Sequence, residues 1–303
     1  NTLAPVIRSR TAMIRGVRPF EMEVDMDVLV LGCGYLGERV ATLWHTAGHR
    51  VFATTRSEAR ADEFRERGWT PVVCDVHDPP SLSAIPRVDA AAFALSRDRA
   101  SAKSMAEFYI GGLHALLTHM PPPAKWVHVS SSSVYEQTDG GWVDETSPTT
   151  PTETAGRVML EAEGIVLQHR PDAMVLRFSG IYGPGRWLRR QSIIAGEPIV
   201  GDAEKWLNLI HVDDGAAAVL AAAERGEPGR IYNVCDDEPV RRRDFYTLMA
   251  ERLGVPPPTF RPPPPGQTPQ HERGNRRIRN RRLREELNVA LQYPSYRDGL
   301  SEP

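Results

Sequence analysis

Val28-Leu29-Val30-Leu31-Gly32-Cys33-Gly34-Tyr35-Leu36-Gly37-Glu38-Arg39-Val40 joins a run of branched apolar residues to a helical pattern through three glycines spaced G-x-G-x-x-G. The apolar run reads as a buried strand, and Val40, Leu43 and Trp44 as the inner face of a helix ending at Gly48. In such a strand–turn–helix unit Gly32 permits the turn. Gly34 lets a diphosphate approach bare backbone, and Gly37 lets helix and strand pack closely. The helix N-terminus, with its unpaired N–H groups, receives the negative charge. A glycine triplet alone also marks ordinary turns. Here a second strand, Arg50-Val51-Phe52-Ala53-Thr54, follows the helix, and the three elements together point to dinucleotide binding. Gly32, Gly34, Tyr35, Leu36 and Gly37 are the expected contacts.

Working outward, a charged helix is expected over 58–67, closed by Gly68, then a strand over 70–75 and another over 88–95. A helical pattern from Met105 to Leu117 leads into a fifth strand over 126–130. Strands alternating with helices at this rhythm imply a parallel sheet wound by right-handed crossovers. The expected fold class is α/β, a doubly wound parallel (Rossmann) sheet with a smaller mixed α/β C-terminal lobe. The second half predicts helices over 155–168, 216–223 and 243–253, and strands over 173–177, 209–212 and 231–234. Residues 256–265 are proline-dense and expected as an extended connector. The implied division is a flexible extension over 1–25, a cofactor domain over 26–180 and a mainly substrate-binding lobe over 181–303, with some segments returning to the sheet.

Composition sets the wider limits. The 303 residues are 41% hydrophobic and 25% charged, enough for a full core, and the net charge of −2 gives no reason to expect nucleic acid or membrane partners. Cys33, Cys74 and Cys235 lie too far apart for a disulfide framework or a zinc site, so no metal is expected and a cytoplasmic setting fits. The N-terminal stretch carries Arg8, Arg10, Arg15 and Arg18 before any acid, without the apolar core of a secretory signal.

The end of the second strand selects the cofactor. An acidic residue there would accept hydrogen bonds from the ribose hydroxyls of NAD(H), but the chain reads Thr54-Thr55-Arg56-Ser57. An arginine can pair a 2′-phosphate, helped by hydroxyl neighbours, so NADP(H) is expected over NAD(H). Thr55, Arg56 and Ser57 are the expected contacts. Asp75 and Val76 are placed near the adenine, and Ala94, Leu95 and Ser96 along the cofactor.

Further motifs carry a family resemblance. They are Val129-Ser130-Ser131-Ser132-Ser133-Val134-Tyr135, Arg177-Phe178-Ser179-Gly180-Ile181-Tyr182-Gly183-Pro184-Gly185, Ile210-His211-Val212-Asp213-Asp214 and Tyr232-Asn233-Val234-Cys235-Asp236-Asp237. With the glycine loop, over residues 27–300, the chain resembles the extended short-chain dehydrogenase/reductase superfamily of the NAD(P)-dependent epimerase/dehydratase type. The resemblance implies a serine after the fifth strand that orients the substrate, here Ser131, with Ser130 beside the cofactor. It also implies a Tyr-x-x-x-Lys on the next helix as acid/base, the lysine lowering the tyrosine's pKa.

That pair is missing. Gly156 and the Leu160-Glu161-Ala162-Glu163 end fix the register, which puts Ala155 where tyrosine belongs and Met159 where lysine belongs. No tyrosine lies between Glu136 and Ile181, so sliding the alignment restores nothing. The chain thus resembles an atypical member of the superfamily. Three outcomes stay open: an enzyme with another proton donor, a non-catalytic NADP(H)-binding sensor or scaffold, or an enzyme needing no protein acid/base. Tyr135 and Tyr182 are the leading donor candidates because a phenol both donates and accepts. His128, alternating with Val127 and Val129, reads as a buried strand histidine.

Substrate contacts are expected from Ser132, from Arg186 and Trp187 in the glycine-rich loop, and from His211. Asp213 and Asp214 read as helix-start residues. The run Arg276, Arg277, Arg279, Arg281, Arg282 and Arg284 reads as a solvated or internally paired segment, with Arg277 the one placed to reach a substrate anion. The expected partner is a small carbonyl, hydroxyl or sugar-like molecule, and the resemblance implies a homodimer.

Overall fold

Branched and small apolar residues alternate in direction along each central strand, and both faces of the sheet find cover. In the computed structural model, which describes residues 25–97, 102–264 and 274–300, these strands are β1 (Asp27–Leu31), β2 (Arg50–Thr55), β3 (Thr70–Val73), β4 (Ala90–Phe93) and β5 (Lys125–Ser131). Met174–Phe178 and Ile231–Val234 complete the sheet. Its order is Ile231–Val234, Met174–Phe178, β5, β4, β1, β2, β3, every pair parallel. All strands therefore end on one edge, and the order reverses between β1 and β4, the place where such sheets open a crevice for ligands.

The alternation is visible in β1. Val28 and Val30 face a core shared with Val40 and Trp44 of helix α1 (Gly37–Thr46) and Ala216 and Val219 of the helix Val212–Arg225. Leu29 and Leu31 face the opposite core, with Leu113 and Leu116 of α3 (Gly112–His119) and Ala162 and Val166 of α4 (Thr154–His169). Between β2 and β3, α2 (Glu58–Glu66) contributes Phe64, and Ser57 caps it by accepting a hydrogen bond from the Arg60 amide.

The second half builds a smaller core from Tyr182, Trp187, Ile199, Phe245, Met249 and Tyr296. Pairs of strands two or three residues long frame it: Gly180–Tyr182 with Leu209–His211, Trp206–Leu207 with Val240–Arg241, and Ile199–Val200 with Phe260–Arg261.

Several boundaries differ from the sequence expectation. The third strand stops at Val73, where Asp75 turns its carboxylate onto the His77 amide and the chain leaves the sheet, and the fourth stops at Phe93. Asp75, Val76 and Ala94 to Ser96 thus lie in loops along the carboxyl edge. The helix from Met105 opens as a wide π-turn, Glu107–Gly111, before α3. The proline-dense connector contains the strand Phe260–Arg261. Residues 1–24 and 265–273 lie outside the described residues.

Candidate functional site

The glycine loop is shaped by steric limits on each glycine. Gly32 has φ +90°, and a Cβ there would sit 2.7 Å from the Leu95 backbone. A Cβ on Gly37 would land on the Gly32 carbonyl and 3.1 Å from Val30. Gly34 differs: a Cβ there meets nothing within 4 Å, so no protein group requires it to be bare. An approaching diphosphate would. No side chain caps α1, and although its Glu38 and Arg39 amides bond to the Gly34 and Leu36 carbonyls, the positive end of the helix dipole still favours an anion there. Leu36 is buried beneath the loop, and Tyr35 donates from its hydroxyl to the Pro184 carbonyl at 3.1 Å, tying the loop to the second half.

At the end of β2, Arg56 is exposed and makes no ion pair among the described residues. Ser57 donates its amide to Thr55 Oγ1. Sequence reasoning passed over Arg60, whose guanidinium donates to the Cys33 carbonyl at 3.3 Å and pairs with Glu38 beside the loop. Two arginines thus flank the space beyond Thr55, and no carboxylate closes it at the strand end. The residues fit a phosphorylated ribose better than a bare one.

A cleft of about 540 Å³ is lined by Ser131, Ala155, Ser179, Trp206, Asn208 and Arg276 among others. Ser131 accepts at Oγ from the Ser133 amide, and Ser132 and Tyr135 also line the cleft. Ala155 presents a methyl group where a phenol is absent. Met159 is packed into an apolar cluster with Val134, Tyr135, Val158 and Ile278, which leaves a lysine there without a water or carboxylate partner.

Behind this wall runs a buried polar network. Arg177 pairs with Glu163 through three bonds of 2.8, 3.1 and 3.3 Å and donates to Tyr135 Oη at 2.9 Å. Tyr135 donates onward to Asn233 Oδ1 at 2.9 Å, and Ser130 donates to Glu163 at 2.6 Å. The phenol proposed as a proton donor is therefore engaged on both sides, and burial holds its pKa above the ordinary value. The Ser130 hydroxyl points inward to Glu163 and away from the cofactor edge. His128 is buried against Phe93, and burial pulls its pKa down to about 4, as a strand histidine should behave.

The second-half residues are brought to other places. Tyr182 is fully buried, donates to the Ser295 carbonyl and stacks edge-on to His211, so it does not reach the cleft. The cause is Gly183, whose φ of +147° turns the chain so that Tyr182 joins the smaller core. His211 is buried between Tyr182 and Tyr293 and caps the helix Val212–Arg225 by accepting from the Asp213 amide. His211 is the cap, and Asp213 and Asp214 stand in the first turn behind it, at the helix start where they were expected. Asp213 pairs with Arg39, and Asp214 accepts the Gln292 and Tyr293 amides, holding the C-terminal tail. Trp187 is buried in the smaller core, while exposed Arg186 lies over the Tyr35 ring.

Within the arginine-rich run, Arg282 and Arg284 lie by Glu286 and Asp237, as an internally paired segment should. Arg277, expected to cross the cleft, donates to the Gly140 carbonyl and lies over Trp142 and Trp206. Its neighbour Arg276 enters the cleft instead, because Arg277–Ile278 pairs as a strand with Trp142–Val143 and the two arginines point to opposite sides. Among the described residues no helix is long and apolar enough to cross a membrane, and no cluster of His, Cys, Asp and Glu could hold a metal ion.

The fold is that of a doubly wound, Rossmann-like protein. The chain belongs to the NAD dependent epimerase/dehydratase family, whose model matches residues 28–235. It is 34% identical to the protein YeeZ of Escherichia coli K12 over 250 residues, 77% of this chain and 86% of that one. A solved structure of a functionally unknown conserved protein from Silicibacter pomeroyi is 30% identical, with a TM-score of 0.72 over 91% of this chain and 96% of that one. UDP-glucose 4-epimerase from Thermotoga maritima, solved with UDP-glucose, shares the fold at a TM-score of 0.74 and 19% identity, over 91% and 96% of the two chains.

Proposed function

We propose that the chain is an NADP(H)-dependent oxidoreductase or epimerase-like enzyme for a small carbonyl, hydroxyl or sugar-like substrate, working without the Tyr-x-x-x-Lys pair. The observation that carries this is the glycine loop: Gly32 and Gly37 are bare because protein atoms press on them, and Gly34 is bare where none do. Arg56, exposed and unpaired at the end of β2, supports the choice of the 2′-phosphorylated cofactor. Bound NADP(H) would supply two-electron redox chemistry, and the chain supplies placement. In this reading Gly32 to Gly37 hold the diphosphate, Thr55, Arg56 and Ser57 the phosphorylated ribose, Asp75 and Val76 the adenine, and Ala94 to Ser96 the length of the cofactor.

Ser131 is then the hydroxyl that orients the substrate, with Ser132 beside it. Tyr135 and Tyr182 are not the proton donor, since one phenol is bonded on both sides and the other lies in the smaller core. Purified protein with NADPH and a panel of carbonyl compounds and nucleotide sugars should consume NADPH or change sugar configuration, and Ser131→Ala should slow it by at least tenfold. A specific observation favours a second reading, a non-catalytic NADP(H) sensor: Ala155 and Met159 occupy both catalytic positions. Tight NADPH binding with silence across the panel would select the sensor.

A further inference from the structure

Arg276 is a guanidinium that forms no ion pair among the described residues. It lines the cleft with Ser131 and Ala155 and donates to the Ser132 carbonyl at 2.7 Å. Its Nε is buried with no hydrogen-bond partner. Glu136 shares the cleft and its charge is felt at Arg276, but its carboxylate is engaged by the amide and hydroxyl of Thr152 and forms no ion pair with the guanidinium. A half-buried cation with an unbonded Nε is better solvated when an anion joins it.

The placement is built, not incidental. Asn208 clamps the backbone on both sides of Arg277, donating to the Arg276 carbonyl at 3.0 Å and accepting from the Ile278 amide at 2.8 Å. This fixes the strand register that sends Ile278 into the apolar cluster under Tyr135 and Arg276 into the cleft. At the rim, Arg241 and Arg277 lie over the Trp206 ring at 3.8 and 5.1 Å and bond to backbone carbonyls, not to carboxylates. Three arginines therefore bias one wall of the cleft toward negative charge, and rim charges of this kind raise the local concentration of anions.

We infer that Arg276 is the anion anchor of the cleft, and that the substrate carries a carboxylate or phosphate group that bonds to its guanidinium beside Ser131. The inference rests on the proposed function for the word substrate, while the anion site itself stands on the cleft alone. Calorimetric titration of the full chain tests it at constant ionic strength, with and without NADPH. The probes are oxalate and inorganic phosphate, with neutral oxamide as control.

One of the two anions should bind and oxamide should not; the tighter anion names the group. Arg276→Gln should weaken anion binding by at least about tenfold, the worth of one charge-assisted bond, and leave NADPH affinity unchanged. Gly274→Ala keeps the charge but places a methyl on the guanidinium, and should weaken the anion likewise. Arg276→Lys should fall between, because it keeps charge and loses the planar fork. Equal binding of oxamide, no anion binding, or anion affinity within twofold of the parent in Arg276→Gln would overturn the inference. Anion binding through Arg276 without NADPH binding would sink the proposed cofactor instead, and the two failures are distinguishable.

Discussion

The glycine loop and the start of α4 stand on the same edge of one sheet, yet they are built of different material. At the loop the features are those of the backbone: the N-terminal end of α1, bare glycines and the end of β1 against Leu95. At α4 the working parts of the family are side chains, and here they are Ala155 and Met159. Backbone geometry is set by many residues at once and tolerates little change. A side chain can be exchanged for a packed apolar one without moving the helix, as Met159 shows in its cluster with Val134 and Ile278. A fold can thus keep its cofactor cradle while its acid/base group is replaced.

The strongest challenge to this contrast lies in the network behind the cleft. Glu163→Ala should destabilise the chain by about 3–5 kcal/mol, because Arg177 stays buried without its partner. Urea unfolding checks this; a loss under 1 kcal/mol would mean that the cleft wall is not held by that pair. Next comes His128. Its folded pKa of about 4 lies below the unfolded value near 6.5, so it adds stability that is full above pH 6.5 and lost as pH falls toward 4. That contribution is about 3 kcal/mol at most. Relative to His128→Leu, the parent should lose stability faster between pH 6.5 and 4; parallel curves would reject the buried neutral ring.

Gly37→Ala sharpens the comparison from the loop side. One methyl group against the Gly32 carbonyl should cost about 1–3 kcal/mol and weaken NADPH binding, whereas Ala155→Gly should leave NADPH binding unchanged. Equal sensitivity at both positions would erase the difference between the two regions. Smallest in scope is Tyr135→Phe, which should cost about 1–2 kcal/mol in unfolding free energy and leave the pH profile of any turnover in place. A shifted profile would return Tyr135 to the chemistry.

The same contrast decides what could be read from the chain. Strands β1, β2 and β5, the helix over α4 and the loop glycines were legible because each rests on a short repeating pattern or a local steric need. Tyr182 and His211 were misplaced because their distance from the cleft depends on the turn at Gly183 and on packing against Tyr293 and Tyr296. Arg276 was hidden for another reason. In a run of arginines each looks alike, and only the pairing of Arg277–Ile278 with Trp142–Val143, 135 positions away, tells which one enters the cleft. Ser130 was credited to the cofactor because a hydroxyl in a motif does not say that Glu163, on another element, already holds it.

The most direct measurement is calorimetric titration of the purified chain with NADPH and NADH, repeated on Arg56→Ala. NADPH should bind more tightly than NADH, and Arg56→Ala should weaken NADPH by roughly tenfold or more while sparing NADH, as the loss of a charge-assisted phosphate contact requires. Equal or tighter binding of NADH by the parent chain, or an Arg56→Ala variant that loses both cofactors alike, would contradict the choice of NADP(H).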